Sequence, residues 1–361
     1  MADTTAASGL TPQQWDDEYF VEYIQNHPFK AYMGKDENSI FQVKEDLTVK
    51  KGNKVTFALV NKLTGDGVTG SQTMEGNEES MDSRSFGVTV NKRRNAVRVA
   101  EIEEQYSAIG LREAAKPLLR TWSDDKDIDR IYSALASING VAYGTASEAQ
   151  KDAWLVDNAD RVLFGAAKSN NSSNDHSASL ANIDNTTDKL TPAALSLMKR
   201  IAFLATPKIR PLRIQGNNKR WLVAFAHPLC FRDLKLNSTL TEAQRTVVIE
   251  NQNNRLFQGG DVEWDGIIVH ECDGMPTLTG VGNGGIDVGQ VYLCGAQALA
   301  LGIARRWRTK SQKFDYEDKE GCEISAIDGL QKMLFGSGAA DTDDLKQHGV
   351  VTGYFAAVAD A

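Results

Sequence analysis

Two stretches of the chain carry the G-x-G-x-x-G spacing that can cradle a pyrophosphate: Gly65-Asp66-Gly67-Val68-Thr69-Gly70 and Gly280-Val281-Gly282-Asn283-Gly284-Gly285. A dinucleotide site needs a strand running into that turn and an amphipathic helix leaving it, so that the helix N-terminus faces the phosphates. The first stretch follows a β-rich run, but no amphipathic helix follows it. The second has Pro276 where the strand should run, and no ribose-binding acid roughly twenty residues on, near Arg305. Both are glycine-rich turns. The histidines, His27, His176, His227, His270 and His348, are scattered, and none pairs with another at metal-ligand spacing. In His270-Glu271-Cys272-Asp273, strand alternation sends His270 and Cys272 one way and the acids the other, which leaves a zinc site incomplete. Asp175-His176 lies among serines, without the rigid support a catalytic triad needs. Glu75, Glu78, Glu79 and Asp82 form one acidic group, and Asp261, Glu263 and Asp265 another. Paired carboxylates serve glycosidases, but those sites are walled by aromatic sugar platforms, and aromatic residues are only 8% of this chain. The expectation is no catalytic set, no metal and no cofactor: a protein that is not an enzyme. A glycosidase-like activity is the weakest alternative.

Two basic knots remain, Lys92-Arg93-Arg94 and Arg305-Arg306-Trp307-Arg308. Either could touch nucleic acid, or pair with acids on a neighbouring subunit. The formal net charge of −8 over 361 residues disfavours a tight grip on phosphates. Apolar residues at 41% and charged residues at 24% describe an ordinary globular chain with a sizeable core. No apolar run is long enough to span a membrane, and the opening MADTTAASGL lacks the pattern of a signal peptide, so assembly in a cytoplasm is expected. Cys230, Cys272, Cys294 and Cys322 sit beside apolar residues and are expected in the core.

The elements that would position these residues begin with Thr11-Pro12, a capping hydroxyl and a first-turn proline. Trp15, Tyr19, Phe20 and Tyr23 then share one helical face, which needs a surface to cover. Lys54 to Val60 is β-rich, and Phe86 to Val99 alternates. Between them lies a polar, glycine-dense excursion from Asn61 to Ser85, longer than the loops usual inside compact domains. It is either a mobile surface loop or an arm ordered by another subunit. Leu111, Ala115, Leu118, Leu119 and Trp122 form a helical stripe that Ile128, Ile131, Tyr132 and Leu135 continue, with Pro117 near its start. Asn139 to Lys189 is loose, and Lys168 to Ser177 has the composition of an exposed, protease-sensitive loop. Thr191-Pro192 opens a helix whose apolar face is Leu195, Met198, Ile201, Ala202 and Leu204. Strands are expected at Trp221–Phe225, Val247–Glu250, Gly266–His270, Val291–Leu293 and near Val350–Phe355, with a helix at Ala296–Trp307. The order argues for an α+β fold rather than regular βαβ units.

Several blocks, in order, resemble the major capsid proteins of tailed bacteriophages, in particular those of phages like coliphage N-four. Lys44 to Phe57 resembles their ingoing strand. Leu63 to Gly70 and Met74-Glu75-Gly76-Asn77-Glu78-Glu79 resemble their glycine-rich hairpin with its EGNEE signature. Arg94-Asn95-Ala96-Val97 is similar to the return strand, and Leu111 to Lys116 with Leu119 to Trp122 to the start of the spine helix. Leu256 to Gly260, Trp264 to Glu271 and Leu293 to Ala298 match later blocks, with Arg255 where the pattern tends to Pro and Trp264 where it has Tyr. The loop from Lys168 to Asp188 matches nothing in the pattern.

The resemblance implies the tailed-phage major capsid fold. Residues 1–38 would be an N-terminal arm, and 39–105 an extended E-loop hairpin with adjoining peripheral-domain strands. Residues 106–206 would be the peripheral domain with the spine helix and an exposed loop, 207–290 the axial domain, and 291–361 the C-terminal parts of both. It further implies self-assembly into pentamers and hexamers of an icosahedral head around double-stranded DNA, hence a place in the virion. Partners would be other copies of the chain, portal and scaffolding or cementing proteins, and packaged DNA without sequence preference. Trp15, Tyr19, Gly65, Gly67, Gly70, Glu75, Glu78 and Glu79 are the expected inter-subunit contacts, with Arg93 or Arg94 as basic partners on the neighbour. A cellular nanocompartment shell of the same fold is the nearest alternative; the EGNEE and R-x-A-V blocks favour the phage reading.

Overall fold

The computed structural model describes residues 29–45, 47, 52–60, 62–63, 65–81, 83–106, 111–213, 220–246, 262–337 and 343–359. In chain order, the first part runs β1 (Met33–Gly34), β2 (Phe41–Lys44), β3 (Lys54–Val60), β4 (Ser83–Thr89), β5 (Asn91–Ala100), α1 (Glu101–Tyr106) and α2 (Leu111–Ala136). The middle holds α3 (Glu148–Asn158), β6 (Val162–Phe164), α4 (His176–Ala181), α5 (Pro192–Leu204), β7 (Leu212–Arg213), β8 (Arg220–Ala226), α6 (Pro228–Leu236), α7 (Ser238–Thr246), β9 (Val262–Trp264) and β10 (Ile267–Glu271). The last part is β11 (Val288–Cys294), β12 (Leu299–Phe314), β13 (Lys319–Lys332), β14 (Leu334–Ser337), β15 (Asp343–Gln347) and β16 (Val350–Ala356). Helices and strands are mixed without regular βαβ alternation, as the α+β expectation required.

Two sheets organise the chain. A seven-stranded sheet runs β6-β16-β11-β8-β10-β9, with β7 on β8. Every residue of β11 and β16 is buried, so these strands are covered on both faces. Helix α5 lies against it through Leu195, Met198, Ile201 and Ala202. This helix starts as its sequence dictates: the Thr191 hydroxyl accepts from the Ala194 amide at 3.2 Å, and Pro192 needs no donor in the first turn. Leu204 departs from the expected stripe and is exposed.

The second sheet has five strands, β1-β2-β12-β13-β5. Its spine is the β12–β13 hairpin, which runs antiparallel from Leu299↔Lys332 to Phe314↔Lys319. The 26-residue helix α2 crosses one face, with Pro117 in its second turn, where it does not end the helix. The other face carries the root of the β3–β4 hairpin. Backbone atoms there come so close that a Cβ at Gly302 would meet Val55, and one at Gly329 would meet the Thr89 carbonyl. Glycine at both positions is what lets the two layers touch.

Three expectations change. The segment Ala296–Trp307 is not helical: Leu299 onwards is strand, paired to β2 on one side and β13 on the other. Its Leu-Ala-Leu composition favours a helix locally, and pairing on both sides overrides that preference. The stretch Asn139–Lys189 is not loose. It contains α3, capped by a reciprocal Ser147/Gln150 box, and α4. The expected grouping of 106–206 divides: α2 lies on the five-stranded sheet, whereas β6 and α5 pack with the seven-stranded one. The aromatic terminal helix and the strand expected at Val247–Glu250 fall outside the described residues.

Candidate assembly surfaces

The sequence points to the β3–β4 hairpin, and its geometry separates root from tip. In the root, alternate residues of β3 turn inward, so that Val55 and Phe57 join Val88, Ala300 and Met333 in a small core. Past Val60 the inward side chains stop. Every described residue from Lys62 to Met81 is exposed except Val68, which is half-buried. Leu63, Met74 and Met81 are 51%, 54% and 76% exposed, a large apolar surface for so polar a stretch.

The excursion is tied mainly to itself. The Gly65 amide donates to Glu79 Oε2 at 2.7 Å, the Gly76 amide donates to Glu78 Oε2 at 2.8 Å, and Asn77 Nδ2 donates to the Thr73 carbonyl at 3.0 Å. Glu78 and Glu79 thus shape the loop while keeping further acceptor capacity. Gly67 and Gly70 both have φ +68°, which a side chain adopts only with strain, and no atom would oppose a Cβ at either. Glycine there serves backbone shape rather than close packing. Glu75 is exposed.

The two arginines proposed as basic partners separate. Arg94 is exposed. Arg93 is spent within its own chain: it donates to both carboxylate oxygens of Asp328, at 2.9 and 2.7 Å, and lies 2.6 Å from Asp127 Oδ1. Its guanidinium also stacks 4.7 Å from the Trp307 ring. Arg130 completes the cluster, 2.7 Å from Asp328 and 3.6 Å from Asp127. Four elements, β5, α2, β12 and β13, meet at this point. Burial works against the charge on Asp328, but the Arg93 and Arg130 contacts outweigh it and hold its carboxyl below the ordinary value. Asp127 has the worse position. Burial, then the charge of Asp328, push it up to about 7. Arg93 is therefore a fastener of helix to sheet, and the two-residue basic pattern in the sequence could not say which arginine faces in. The second basic knot divides similarly. Trp307 is buried against Trp122, while Arg306 reaches Glu45 at 3.0 Å on the surface.

The residues weighed for chemistry are not brought together. No group of three or more His, Cys, Asp and Glu residues that could hold a metal is found among the described residues. The Tyr32 hydroxyl hydrogen-bonds to the His270 ring, while Cys272 is buried near Tyr132. Cys230, Cys272 and Cys294 are buried free thiols and Cys322 is half-buried; burial raises the titration points of Cys230, Cys294 and Cys322. The Gly280–Gly285 stretch is a turn with a short 3-10 segment at Asn283–Gly285. Asp265 is held by Lys199 at 2.8 Å.

One surface escaped the sequence. Between α2 and the five-stranded sheet lies a half-open cavity of about 330 Å³, walled by Met33, Ile131, Leu301, Ile303 and Leu330. The helical expectation for 296–307 hid it. The usable signal was the alternation of Leu299, Leu301 and Ile303. Trp15 and Tyr19 lie outside the described residues.

Comparison with known proteins agrees with this architecture. The family described as phage capsid protein matches residues 3–359. The major capsid protein of Pseudomonas phage KPP25 is 28% identical, over 94% of this chain and 93% of that protein. Among solved structures, the capsid asymmetric unit of cyanophage Pam1 superposes with a TM-score of 0.82 at 30% identity, covering 100% of both chains. The capsid of Ralstonia phage GP4 does so at 0.72 and 17% identity, again over 100% of both, a likeness of fold. The chain belongs to the phage capsid protein family.

Proposed function

We propose that this chain is the major capsid protein of a tailed bacteriophage, whose copies associate into pentamers and hexamers of an icosahedral head enclosing double-stranded DNA. The observation that carries this reading is the family match across residues 3–359, nearly the whole chain. The exposed excursion supports it. A 20-residue reach of polar backbone with bare leucine and methionine gains little from its own subunit and much from a neighbour. Many such contacts per subunit, closed by symmetry, hold a shell together even when each is weak.

On this reading the five-stranded sheet with α2 is the peripheral domain and its spine helix. The seven-stranded sheet is the core of the axial domain, and β3–β4 with its excursion is the E-loop. Residues 1–38 form the arm, with Trp15 and Tyr19 contacting a neighbour. Gly65, Gly67, Gly70, Glu75, Glu78 and Glu79 present the loop to the adjacent subunit, with Arg94 as a basic partner. Its role is structural rather than enzymatic. Further partners are portal and scaffolding or cementing proteins, and DNA held without specific contacts, as the net charge of −8 suits. Assembly takes place in the host cytoplasm, and the finished protein resides in the virion. The closer kinship with capsids like that of coliphage N-four rests on the ordered sequence blocks.

The test is electron microscopy of the expressed protein beside size-exclusion chromatography. Closed shells, or pentamers and hexamers that close when other head proteins are supplied, are expected. A chain that stays solitary at high concentration under all these conditions overturns the reading.

A further inference from the structure

The cavity between α2 and the five-stranded sheet and the excursion beyond β3 have matching properties, yet one copy of the chain cannot bring them together. Strand residues alternate between faces. On β12, Gly302 faces the hairpin root, while Leu301 and Ile303 line the cavity. On β13, Gly329 faces the root, while Asp328 and Leu330 line the cavity. The hairpin therefore leaves its sheet on the face opposite the groove. Its excursion extends away from there by roughly 35 Å at most, eleven residues out and eleven back.

The groove is apolar in its walls and carries excess positive charge at its rim. Glu45 is shared by two cations, Lys35 at 3.2 Å and Arg306 at 2.5 Å, and Arg305 also lines the opening. The described excursion is the converse. It exposes Leu63, Met74 and Met81, and between residues 62 and 81 it holds Lys62 against Asp66, Glu75, Glu78 and Glu79, a net charge of −3. Methionine is unbranched and polarisable, suited to filling a groove of irregular section.

We propose that the groove between α2 and the five-stranded sheet receives the Met74–Met81 stretch of a second copy of this chain, methionines in the apolar trough and Glu75 toward Lys35 and Arg306 on the rim. This rests on the reading of the excursion as an inter-subunit arm, and names where that arm seats. The groove floor is the Asp127–Arg93–Asp328–Arg130 cluster, and Arg93 lies on the return strand of the host subunit's own hairpin. A seated arm thus touches the fastener that sets the position of the next arm.

Lys35 has 74% of its side chain exposed, so it is open to a zero-length carbodiimide coupling between carboxylate and amine. The experiment uses the unaltered chain, assembled from an equal mixture of nitrogen-15-labelled and unlabelled subunits. Mass spectrometry of shells should find mixed-isotope peptides joining Glu75 to Lys35, absent from unassembled subunits. Coupling of Glu75 to other lysines of a neighbour, or no coupling of Glu75 at all, overturns the groove assignment and leaves the arm reading standing. Coupling only within one chain overturns both. As an independent arm, Leu301→Trp fills the trough. Shell yield should fall at least tenfold while the melting temperature of the unassembled subunit holds. Normal shells from that variant would count against the groove.

Discussion

Two stretches of this chain have nearly the same composition and opposite fates. Residues 61–82 and 168–188 are both rich in Gly, Ser, Asn, Thr and Asp, and neither contains much to bury. The first stands exposed, with short hydrogen bonds inside itself. The second is fastened down by a few buried polar groups. Asp188, 3% exposed, accepts from the Ala166 amide at 2.8 Å, Asn170 Nδ2 at 3.0 Å and the Asp184 amide at 3.1 Å. Asn171 and Asn174 bond one another, the Ser172 amide donates to Ser179 Oγ at 2.9 Å, and the His176 amide donates to Asp152 at 2.8 Å. The His176 ring is then buried against Trp154, Phe164 and Tyr354. Polar composition therefore does not distinguish an arm from a folded loop. The location of a buried acceptor does.

The difference can be broken at either side. The largest effect should come from the arm. Replacing residues 62–81 by a two-residue Asn-Gly turn should abolish shells while leaving the unassembled subunit's denaturation midpoint unchanged. Glu78→Lys should do the same, since Glu78 is exposed and its change costs the monomer little. Assembly can be followed by light scattering. The folded loop should behave in reverse. Asp188→Ala leaves three buried donors without an acceptor and should cost about 3 kcal/mol in urea denaturation. A loss as small as a surface substitution gives would show that the loop is not held there.

The pH dependence sharpens the contrast next. Burial, first among its causes, holds the His176 imidazole down to about 4, against an ordinary value of 6.5. As pH falls, the unfolded chain takes the proton first. The stability linked to His176 is therefore full above about 6.5 and lost toward 4. His348, buried beside Phe335, is likewise held at about 4. His176→Phe should flatten the stability–pH curve in that window by about one of the two protons, provided the ring packs in the same space. No flattening would mean that His176 is already charged in the folded chain. The smallest effect is Asn170→Ala, which removes one bond to Asp188 and should cost about 1 kcal/mol.

Much of the architecture was legible because local chemistry and tertiary context agree. Thr191-Pro192 caps a helix in sequence and in structure, and the alternation in Lys54–Val60 becomes a strand of those limits. Misreadings fall where they disagree. Leu299–Trp307 looks helical until β2 and β13 pair with it. The loop before Asp188 looks loose because its fasteners are Asn and Ser side chains, which in a sequence signal turns whether or not they are buried. Of the candidate contacts, the exposure of Glu75, Glu78 and Arg94 followed from composition. The inward turn of Arg93 did not, because Asp127 and Asp328 lie far from it in sequence. The groove could not be seen until two strands and a helix were brought side by side.

The central claim is that residues 62–81 gain their order from other copies of the chain. Amide hydrogen exchange on unassembled subunits and on shells, compared peptide by peptide, tests it directly. Peptides within 62–81 should exchange within seconds before assembly and be slowed at least a hundredfold in shells, while peptides within 168–188 are protected equally in both. Equal exchange of 62–81 in the two states would contradict the account.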